Sequence, residues 1–169
     1  MLRLMSAAAA AALLLALQSA TAQQVATAPA TPPPYGVPIT HDAAMNAVAA
    51  AEAEAKKNKW LMVIAVVDSG GRLVAFSRMD NAQLGSIDIA MGKATTANNL
   101  RRPTKALQDL VAQGGANLRM LAAPGVTPLE GGVPIVADGK IIGAIGVSGA
   151  ASDQDAQCAI AGASAAVGK

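Results

Sequence analysis

The residues best suited to bind a charged ligand are five cations in the middle of the chain: Arg72, Arg78, Lys93, Arg101 and Arg102. Arginine makes bidentate contacts with carboxylates, and a hydrogen bond to a charged group contributes about 1.5–3 kcal/mol. If these side chains converge, they form a pocket for a ligand that carries carboxylates. As separate surface charges they need no functional explanation, and the sequence leaves both interpretations open.

The chain has one histidine, His41, and one cysteine, Cys158. Because they are far apart in sequence, they do not make a zinc site of the usual kind from protein ligands alone. His41 lies in the first turn of the first predicted helix. It is either a solvated polar residue or an axial ligand to a bound iron, since neutral imidazole binds iron well. Cys158 lies among alanines, where a small buried residue, a reactive thiol and an intermolecular disulfide are the alternatives.

The sequence contains none of the common catalytic patterns. It has no G-x-S-x-G nucleophile elbow, no G-x-G-x-x-G that opens a helix and no acid–base pair with recognisable spacing. An enzyme is therefore the least favoured class. The formal net charge is only +2, and Trp60, Tyr35 and Phe76 are too few aromatic residues for a base-stacking platform. We therefore expect no nucleic-acid partner.

Residues 1–22 have the layout of a secretory signal peptide. Arg3 precedes an apolar run over 7–17, and an Ala-Thr-Ala sequence ending at Ala22 resembles a cleavage site. The run is shorter than the roughly 20 residues that cross a membrane, so an uncleaved anchor is the weaker alternative. The sequence therefore predicts a periplasmic or secreted protein that keeps no membrane span after cleavage.

The mature chain divides into a linker and one folded domain. Residues 23–38 are rich in alanine and proline and include three consecutive prolines, which predicts an extended linker. Residues 39–169 form the predicted domain. Its hydrophobic pattern indicates an α/β (α+β) fold with a mainly antiparallel sheet flanked by helices. The expected elements are a helix to about residue 57, strands over 61–67 and 72–79, helices over 85–100 and 104–113, a hairpin over 133–148 and a helix from 152.

The last hairpin is the most informative stretch of the sequence. Asp138 and Gly139 lie between two β-branched runs and suit a type I′ turn, because both central residues of that turn need positive φ. Gly143 and Gly146 leave room for a helix or another chain to pack closely. The turn then predicts the pairs Ala137 with Lys140, Ile135 with Ile142, and Val133 with Ala144.

Three polar residues have local interpretations. Ser152 is the predicted N-cap of the last helix, with Asp155 as the acidic residue of a capping box. Thr104 is the predicted N-cap of the short helix after Pro103. Lys93 lies off the apolar stripe of its helix, which indicates either a solvated side chain or a residue that contacts a ligand.

Three sets of motifs resemble, in order and spacing, those of the heme-binding or heme-degrading-domain family typified by GlcG and HbpS. That family also includes the C-terminal domain of PduO-type proteins. The resemblance covers about residues 39–167. Its motifs are Met79-Asp80-Asn81-Ala82 with Ser86-Ile87-Asp88 and Gly92-Lys93-Ala94, Gly131-Gly132-Val133-Pro134 with Ile142-Gly143-Ala144-Ile145-Gly146-Val147-Ser148-Gly149, and Ser152-Asp153-Gln154-Asp155 with Cys158-Ala159.

The resemblance implies a profilin-like arrangement of sheet and helices, assembly into homo-oligomers, and heme as the cofactor of an exported protein in heme or iron handling or redox protection. A small-carboxylate binding or sensory accessory module without catalysis is the alternative, because some members are encoded with glycolate or diol metabolism. The few aromatic residues favour a shallow or intersubunit heme site, with His41 as a candidate axial ligand. The motif positions that the resemblance implies for a ligand-lining surface are Arg78, Lys93, Gly131, Gly132 and Ser148.

Overall fold

The computed structural model describes residues 31–168, which contain a four-stranded antiparallel sheet with helices on both faces. The strands are β1 (Val63–Asp68), β2 (Leu73–Arg78), β3 (Gly132–Ala137) and β4 (Lys140–Ser148), in the spatial order β2-β1-β4-β3. The helices are α1 (His41–Asn58), α2 (Ser86–Asn99), α3 (Thr104–Ala112) and α4 (Ser152–Ala165), with a 3-10 helix over Gly115–Ala122. The predicted α+β, profilin-like fold is confirmed.

Helix α1 follows its sequence pattern closely. The Thr40 hydroxyl accepts a hydrogen bond from the Ala43 N–H at 3.2 Å, and the helix ends at Asn58, before Lys59 in a left-handed conformation. The side chains on its buried face are small, which lets α1 pack closely on α4. The buried residues are those that the periodicity predicts: Ala44, Ala47, Val48, Ala51 and Ala55.

Strand β1 separates two hydrophobic layers. Ile64 and Val66 face the layer built with α1 and α4, whereas Val63, Ala65 and Val67 face the layer built with α2. All five side chains are fully buried. A strand covered on both faces has no polar alternation, which explains the continuous apolar run in the sequence.

The turn of the β3–β4 hairpin is the predicted one, but the register is only partly right. Asp138 and Gly139 have φ values of 49° and 71°, as a type I′ turn requires, and Ala137 pairs with Lys140. A register shift between Ile135 and Val136 then adds one residue to β4, because Val136 pairs with Ile141 and Ile135 pairs with Gly143, which leaves Ile142 as the extra residue. The observed pairs are therefore Ile135 with Gly143 and Val133 with Ile145, so the predicted pairs with Ile142 and Ala144 are wrong.

The end of the predicted linker is hydrogen-bonded to the start of β4. The Ile141 N–H donates to the Pro34 carbonyl at 2.8 Å, and the Gly36 N–H donates to the Ile141 carbonyl at 2.7 Å. The predicted signal peptide, 1–22, and residues 23–30 lie outside the described residues. Between residues 31 and 168, no helix is both long enough and apolar enough to cross a membrane.

Tyr35 links the end of the predicted linker to the C-terminal end of α2 through hydrogen bonds. Its hydroxyl lies 3.0 Å from the Asn98 carbonyl oxygen and 3.1 Å from that of Asn99, at the end of the helix, where carbonyls lack the usual partner four residues on. We expect Tyr35→Phe to lower the free energy of unfolding by about 1 kcal/mol and to speed hydrogen exchange at the Gly36 amide. Val37→Ala, at a side chain that is 81% exposed, is the control. Unchanged exchange in Tyr35→Phe would contradict this link.

Candidate functional site

Lys93 is buried inside the domain and forms an ion pair with Asp155. Its Nζ lies 2.6 Å from Oδ2 of Asp155 and donates a second hydrogen bond to the Val147 carbonyl at 3.0 Å. Only 1% of Lys93 is exposed, so of its two alternatives the solvated side chain is wrong. A buried ammonium is stable only with such partners. The pair therefore joins α2 to the start of α4 and the end of β4.

Asp155 has a different role from the predicted one. The N-cap of α4 is Ala151, whose N–H donates to the Gln154 side chain at 3.2 Å, so the predictions of Ser152 as N-cap and Asp155 as its capping partner are wrong. Oδ1 of Asp155 instead accepts a hydrogen bond from the Ala150 N–H at 3.1 Å. Both carboxylate oxygens are thus engaged within the domain.

The two charges stabilise each other against the cost of burial. Burial raises the pKa of Asp155, and the hydrogen bond from Lys93 opposes that rise. Burial lowers the pKa of Lys93, and the same contact with Asp155 opposes that fall. Removing either partner therefore leaves the other in an environment that disfavours its charged form.

Gly131 and Gly132 bring the backbone into contact with Lys93. A Cβ on Gly131 would lie 2.8 Å from Nζ of Lys93, and a Cβ on Gly132 would lie 2.4 Å from the Lys93 carbonyl oxygen. The Gly132 N–H donates to the Thr104 hydroxyl at 2.8 Å. Thr104 therefore bonds β3 and does not cap α3, whose N-cap is Pro103. The predicted cap is wrong because a tertiary partner takes the hydroxyl.

Ser148 and Arg78 occupy the same end of the sheet. Ser148 is 4% exposed, and its hydroxyl lies 3.1 Å from that of Ser86 on α2. Both Ser148 and Arg78 pair with Val63, one on each side of β1, so their Cα atoms are about 10 Å apart. Ser148 therefore lies beside the buried group formed by Lys93, Asp155, Gly131 and Gly132. The exposed Arg78 lies at the sheet edge.

His41 lies at the other end of the sheet. Its side chain is 72% exposed, with Nδ1 3.6 Å from a carboxylate oxygen of Asp42. The chain entering α1 bonds Ile142 through the Ile39 N–H, and Ile142 is six residues, or about 20 Å, from Ser148 along β4. The structure thus brings together Lys93, Gly131, Gly132 and Ser148, and it separates His41 from them. Their role in lining a ligand surface stays a prediction.

The five mid-chain cations do not form one pocket within the described part of the chain. Arg72 and Arg78 stand at opposite ends of β2, and the Arg101 guanidinium lies 5.7 Å from the centre of the Tyr35 ring. Arg102 donates to the Leu100 carbonyl at 3.1 Å. Their positions fit the interpretation as separate charges rather than the convergent one.

A cleft of about 510 Å³ lies between α3 and the segment before β3. Most of its lining is apolar, and its polar side chains are Gln108 and Thr127. One of its lining residues, Gln108, accepts a hydrogen bond at 2.8 Å from the N–H of Glu130, the residue before Gly131. Sequence patterns missed the cleft. Its lining residues are Gln108, Val111, Ala112, Leu121, Val126, Thr127, Pro128 and Leu129.

No metal cluster accompanies the cleft. Across residues 31–168, no group of three His, Cys, Asp or Glu residues could hold a metal ion.

Cys158 is free and buried, and burial raises the pKa of its thiol to about 11. A thiol with that pKa is mostly protonated at neutral pH and therefore a weak nucleophile. Of the three alternatives for Cys158, the small buried residue fits.

Comparison with known proteins gives consistent matches. Residues 39–164 match the family model described as "Haem degrading protein HbpS-like". Protein GlcG of Escherichia coli (strain K12) is 46% identical over 110 residues, which are 65% of this chain and 81% of GlcG. The crystal structure of HbpS has a TM-score of 0.72 at 36% identity and covers 79% of this chain and 93% of that one. The crystal structure of the PduOC:heme complex has a TM-score of 0.70 at 30% identity and covers 76% and 95%.

Proposed function

Because the chain belongs to the HbpS-like family of haem-degrading proteins, we propose that it is an exported, homo-oligomeric heme-binding protein in heme or iron handling or redox protection. The apolar cleft beside α3 is the observation that carries this proposal. A relative of the same fold forms the PduOC:heme complex, which supports heme as the ligand. The signal-peptide pattern of residues 1–22 supports export to the periplasm or the exterior.

The cleft fits the organic part of heme. Its volume of about 510 Å³ lies within the roughly 300–1,000 Å³ of small-molecule sites. Val111, Leu121 and Val126 supply apolar contacts for a flat macrocycle. Lys105 is three residues before Gln108 and therefore on the same side of α3. Its ammonium pairs with Asp109, but this pair is about half exposed and therefore weak, so a propionate carboxylate can compete for Lys105.

The iron ligand in this proposal comes from a second copy. No His, Cys or Met lines the cleft, and His41, the only histidine of the chain, lies at the far end of the sheet. A homo-oligomer brings His41 of one copy to the cleft of another. When bound, heme supplies the redox chemistry of iron. In this proposal the residues of the cleft bind and orient the heme. The two polar side chains of the cleft, one amide and one hydroxyl, do not form an acid–base pair.

A hemin titration of residues 23–169 tests the proposal. We expect a saturable shift of the Soret band at micromolar protein. Leu121→Asp places a charge in the cleft and should weaken binding by about tenfold or more, since burying an unpaired charge is costly. Leu84→Asp is the matched control, because Leu84 is similarly exposed, 72% against 63% for Leu121, and does not line the cleft. No Soret shift with or without a reductant would contradict heme binding.

His41→Ala tests the axial ligand separately. Loss of the imidazole should move the Soret maximum and the visible bands of the bound heme, because the axial ligand sets the electronic state of the iron. The apolar contacts remain, so binding should persist at lower affinity. An unchanged spectrum would exclude His41 as the ligand and leave the cleft proposal intact.

The alternative function, a small-carboxylate binding module, requires cationic side chains that are free to pair with the carboxylates of a ligand. Lys93 is already paired with Asp155, so a ligand carboxylate would have to displace that residue. Thermal-shift measurements distinguish the two functions, because a ligand at 100 times its Kd stabilises by about 2.7 kcal/mol. Stabilisation by a small hydroxy acid, with none by hemin, would favour the alternative.

A further inference from the structure

The 3-10 helix over Gly115–Ala122 is held to the rest of the domain by few contacts. All eight of its residues are at least partly exposed, including Leu118 at 48% and Leu121 at 63%. Among the described helices and strands, only α3 makes more than slight contact with it. A 3-10 run longer than three or four residues is uncommon, because its hydrogen bonds have poor geometry. A segment with so few buried apolar contacts opens more easily than the rest of a domain.

The chain on either side of the 3-10 helix is firmly held. Before it, Leu107 of α3 is 2% exposed, and Thr104 bonds β3. After it, the Thr127 N–H donates to the Thr96 hydroxyl at 2.8 Å, and that hydroxyl donates to the Gly125 carbonyl at 3.4 Å. Thr96 lies on α2 and is 1% exposed. Any movement of the 3-10 helix is therefore confined to the residues between α3 and Gly125.

A glycine with positive φ stands at each end of this stretch. Gly114 has a φ of 70° and a ψ of −158°, a region that is open essentially to glycine alone. Gly125 also has a φ of 70°. A Cβ added to either would have no described atom within 4 Å, so close packing does not explain these glycines. Glycine adopts positive and negative φ about equally well, which suits both positions to act as hinges.

We propose that the 3-10 helix is a lid on the cleft beside α3, and that it swings on Gly114 and Gly125 to admit an apolar ligand and then closes over it. Leu121 lines the cleft and is nevertheless 63% exposed, so closure over a ligand removes apolar surface from water. The inference rests on the proposed function, which places the ligand in this cleft. It adds that opening of the lid sets the rate at which the ligand enters and leaves.

Limited trypsin digestion of residues 23–169 measures the opening. Arg119 is exposed within the 3-10 helix, and Lys140 is exposed in the tight turn of the β3–β4 hairpin. Because a protease cuts the locally opened chain, we expect cleavage after Arg119 to be at least about tenfold faster than after Lys140. Saturating hemin, or anilinonaphthalene sulfonate as a smaller aromatic probe, should slow the cut after Arg119 by about tenfold. Equal cutting at the two sites, or no protection by either probe, would overturn the proposal.

Gly125→Ala tests the hinge, and Gly139→Ala is its matched control. Both glycines have a φ close to 70°, and a Cβ added to either has no described atom within 4 Å, so alanine is strained to the same degree at the two positions. Alanine at Gly125 disfavours the observed position of the lid, and cleavage after Arg119 should therefore speed up by about tenfold. Gly139→Ala should be cut after Arg119 at the wild-type rate. Equal rates in the two variants would contradict a hinge at Gly125.

Probe release distinguishes a lid from a segment that is merely mobile. A chain cut after Arg119 cannot hold the lid closed, so it should release anilinonaphthalene sulfonate at least about tenfold faster than the intact chain in stopped-flow fluorescence. Release from Gly125→Ala should also be faster than release from Gly139→Ala. Unchanged release from the cut chain would overturn the proposal even if cleavage after Arg119 is rapid.

Hemin titration of the same samples distinguishes the lid from the proposed function. If anilinonaphthalene sulfonate protects Arg119 and hemin gives no Soret shift, heme binding is contradicted and the lid is supported. If hemin shifts the Soret band but neither probe slows the cut after Arg119, the lid alone is contradicted. Circular dichroism of Gly125→Ala and Gly139→Ala shows whether each variant is folded before its rates are interpreted, and the wild-type measurements test the lid without them.

Discussion

Lys93→Met is expected to lower the free energy of unfolding by about 3–5 kcal/mol at neutral pH, because it leaves a buried carboxylate without its cation. The side chain of Asp155 is 4% exposed. After the substitution, backbone N–H groups such as that of Ala150 are its remaining polar partners. Methionine has nearly the same length as lysine, so the loss reports the charge rather than a cavity. Urea denaturation followed by circular dichroism measures it.

An exposed pair of the same chemistry is the control. Lys105 and Asp109 lie 2.8 Å apart on α3, each about half exposed, so Lys105→Met should leave the urea midpoint close to that of wild type. The double variant Lys93→Met/Asp155→Asn should recover about 1–2 kcal/mol of the loss, because Asn removes the unpaired charge and keeps an acceptor for Ala150. Equal losses for Lys93→Met and Lys105→Met would contradict the buried ion pair.

The loss in Lys93→Met should depend on pH. Burial raises the pKa of Asp155, and Lys93 opposes that rise, so the variant's carboxyl has a still higher pKa in the folded state. Between the unfolded value of about 3.9 and that raised value, the folded state binds more protons than the unfolded state. Stability of the variant therefore increases as pH falls through this range. The difference from wild type should be smaller at acidic pH than at pH 8, and a difference that grows on acidification would contradict the assignment.

This ion pair also shows why sequence patterns located the site only in part. Lys93 and Asp155 are 62 residues apart, and each has a convincing local explanation, as a solvated helix residue and as a helix-capping acid. No periodicity records that α2 and α4 approach each other at these two positions. Gly131 and Gly132 were identified through the family motifs. Their close contact with Lys93 is a tertiary contact, which the sequence pattern does not indicate.

Elements with local signals were predicted well. Helix α1 has an N-cap at Thr40 and a regular alanine stripe, and the Asp138-Gly139 turn needs only positive φ at two residues. The register shift after Ile135 has no such signal, since the strand pattern is apolar on both sides of it. The cleft was missed for a related reason. Its segment over residues 116–128 has no helical or strand period, so its apolar side chains resembled those of an ordinary loop.

Close packing of α2 on β4 leads to the second large effect. Gly146 faces α2, and a Cβ on it would lie 2.1 Å from the Ala90 carbonyl oxygen and 2.4 Å from the Ala94 nitrogen. Both are backbone atoms of a helix, so they cannot rotate aside as a flexible side chain would. We expect Gly146→Ala to destabilise the domain by about 3 kcal/mol, at the upper end of overpacking costs. Because α2 must move away from the sheet, the contact between Lys93 and Asp155 should also weaken.

Gly85→Ala is the matched control, since Gly85 has a φ of −61° and a Cβ added to it would have no atom within 4 Å. It should change the free energy of unfolding by no more than about 0.5 kcal/mol. If the added methyl group at Gly146 displaces α2, Lys93→Met should cost less in the Gly146→Ala background than alone, because the ion pair is already weakened. Full additivity of the two losses, or a Gly146→Ala variant as stable as Gly85→Ala, would show that α2 and β4 are not in the close contact that buries Lys93.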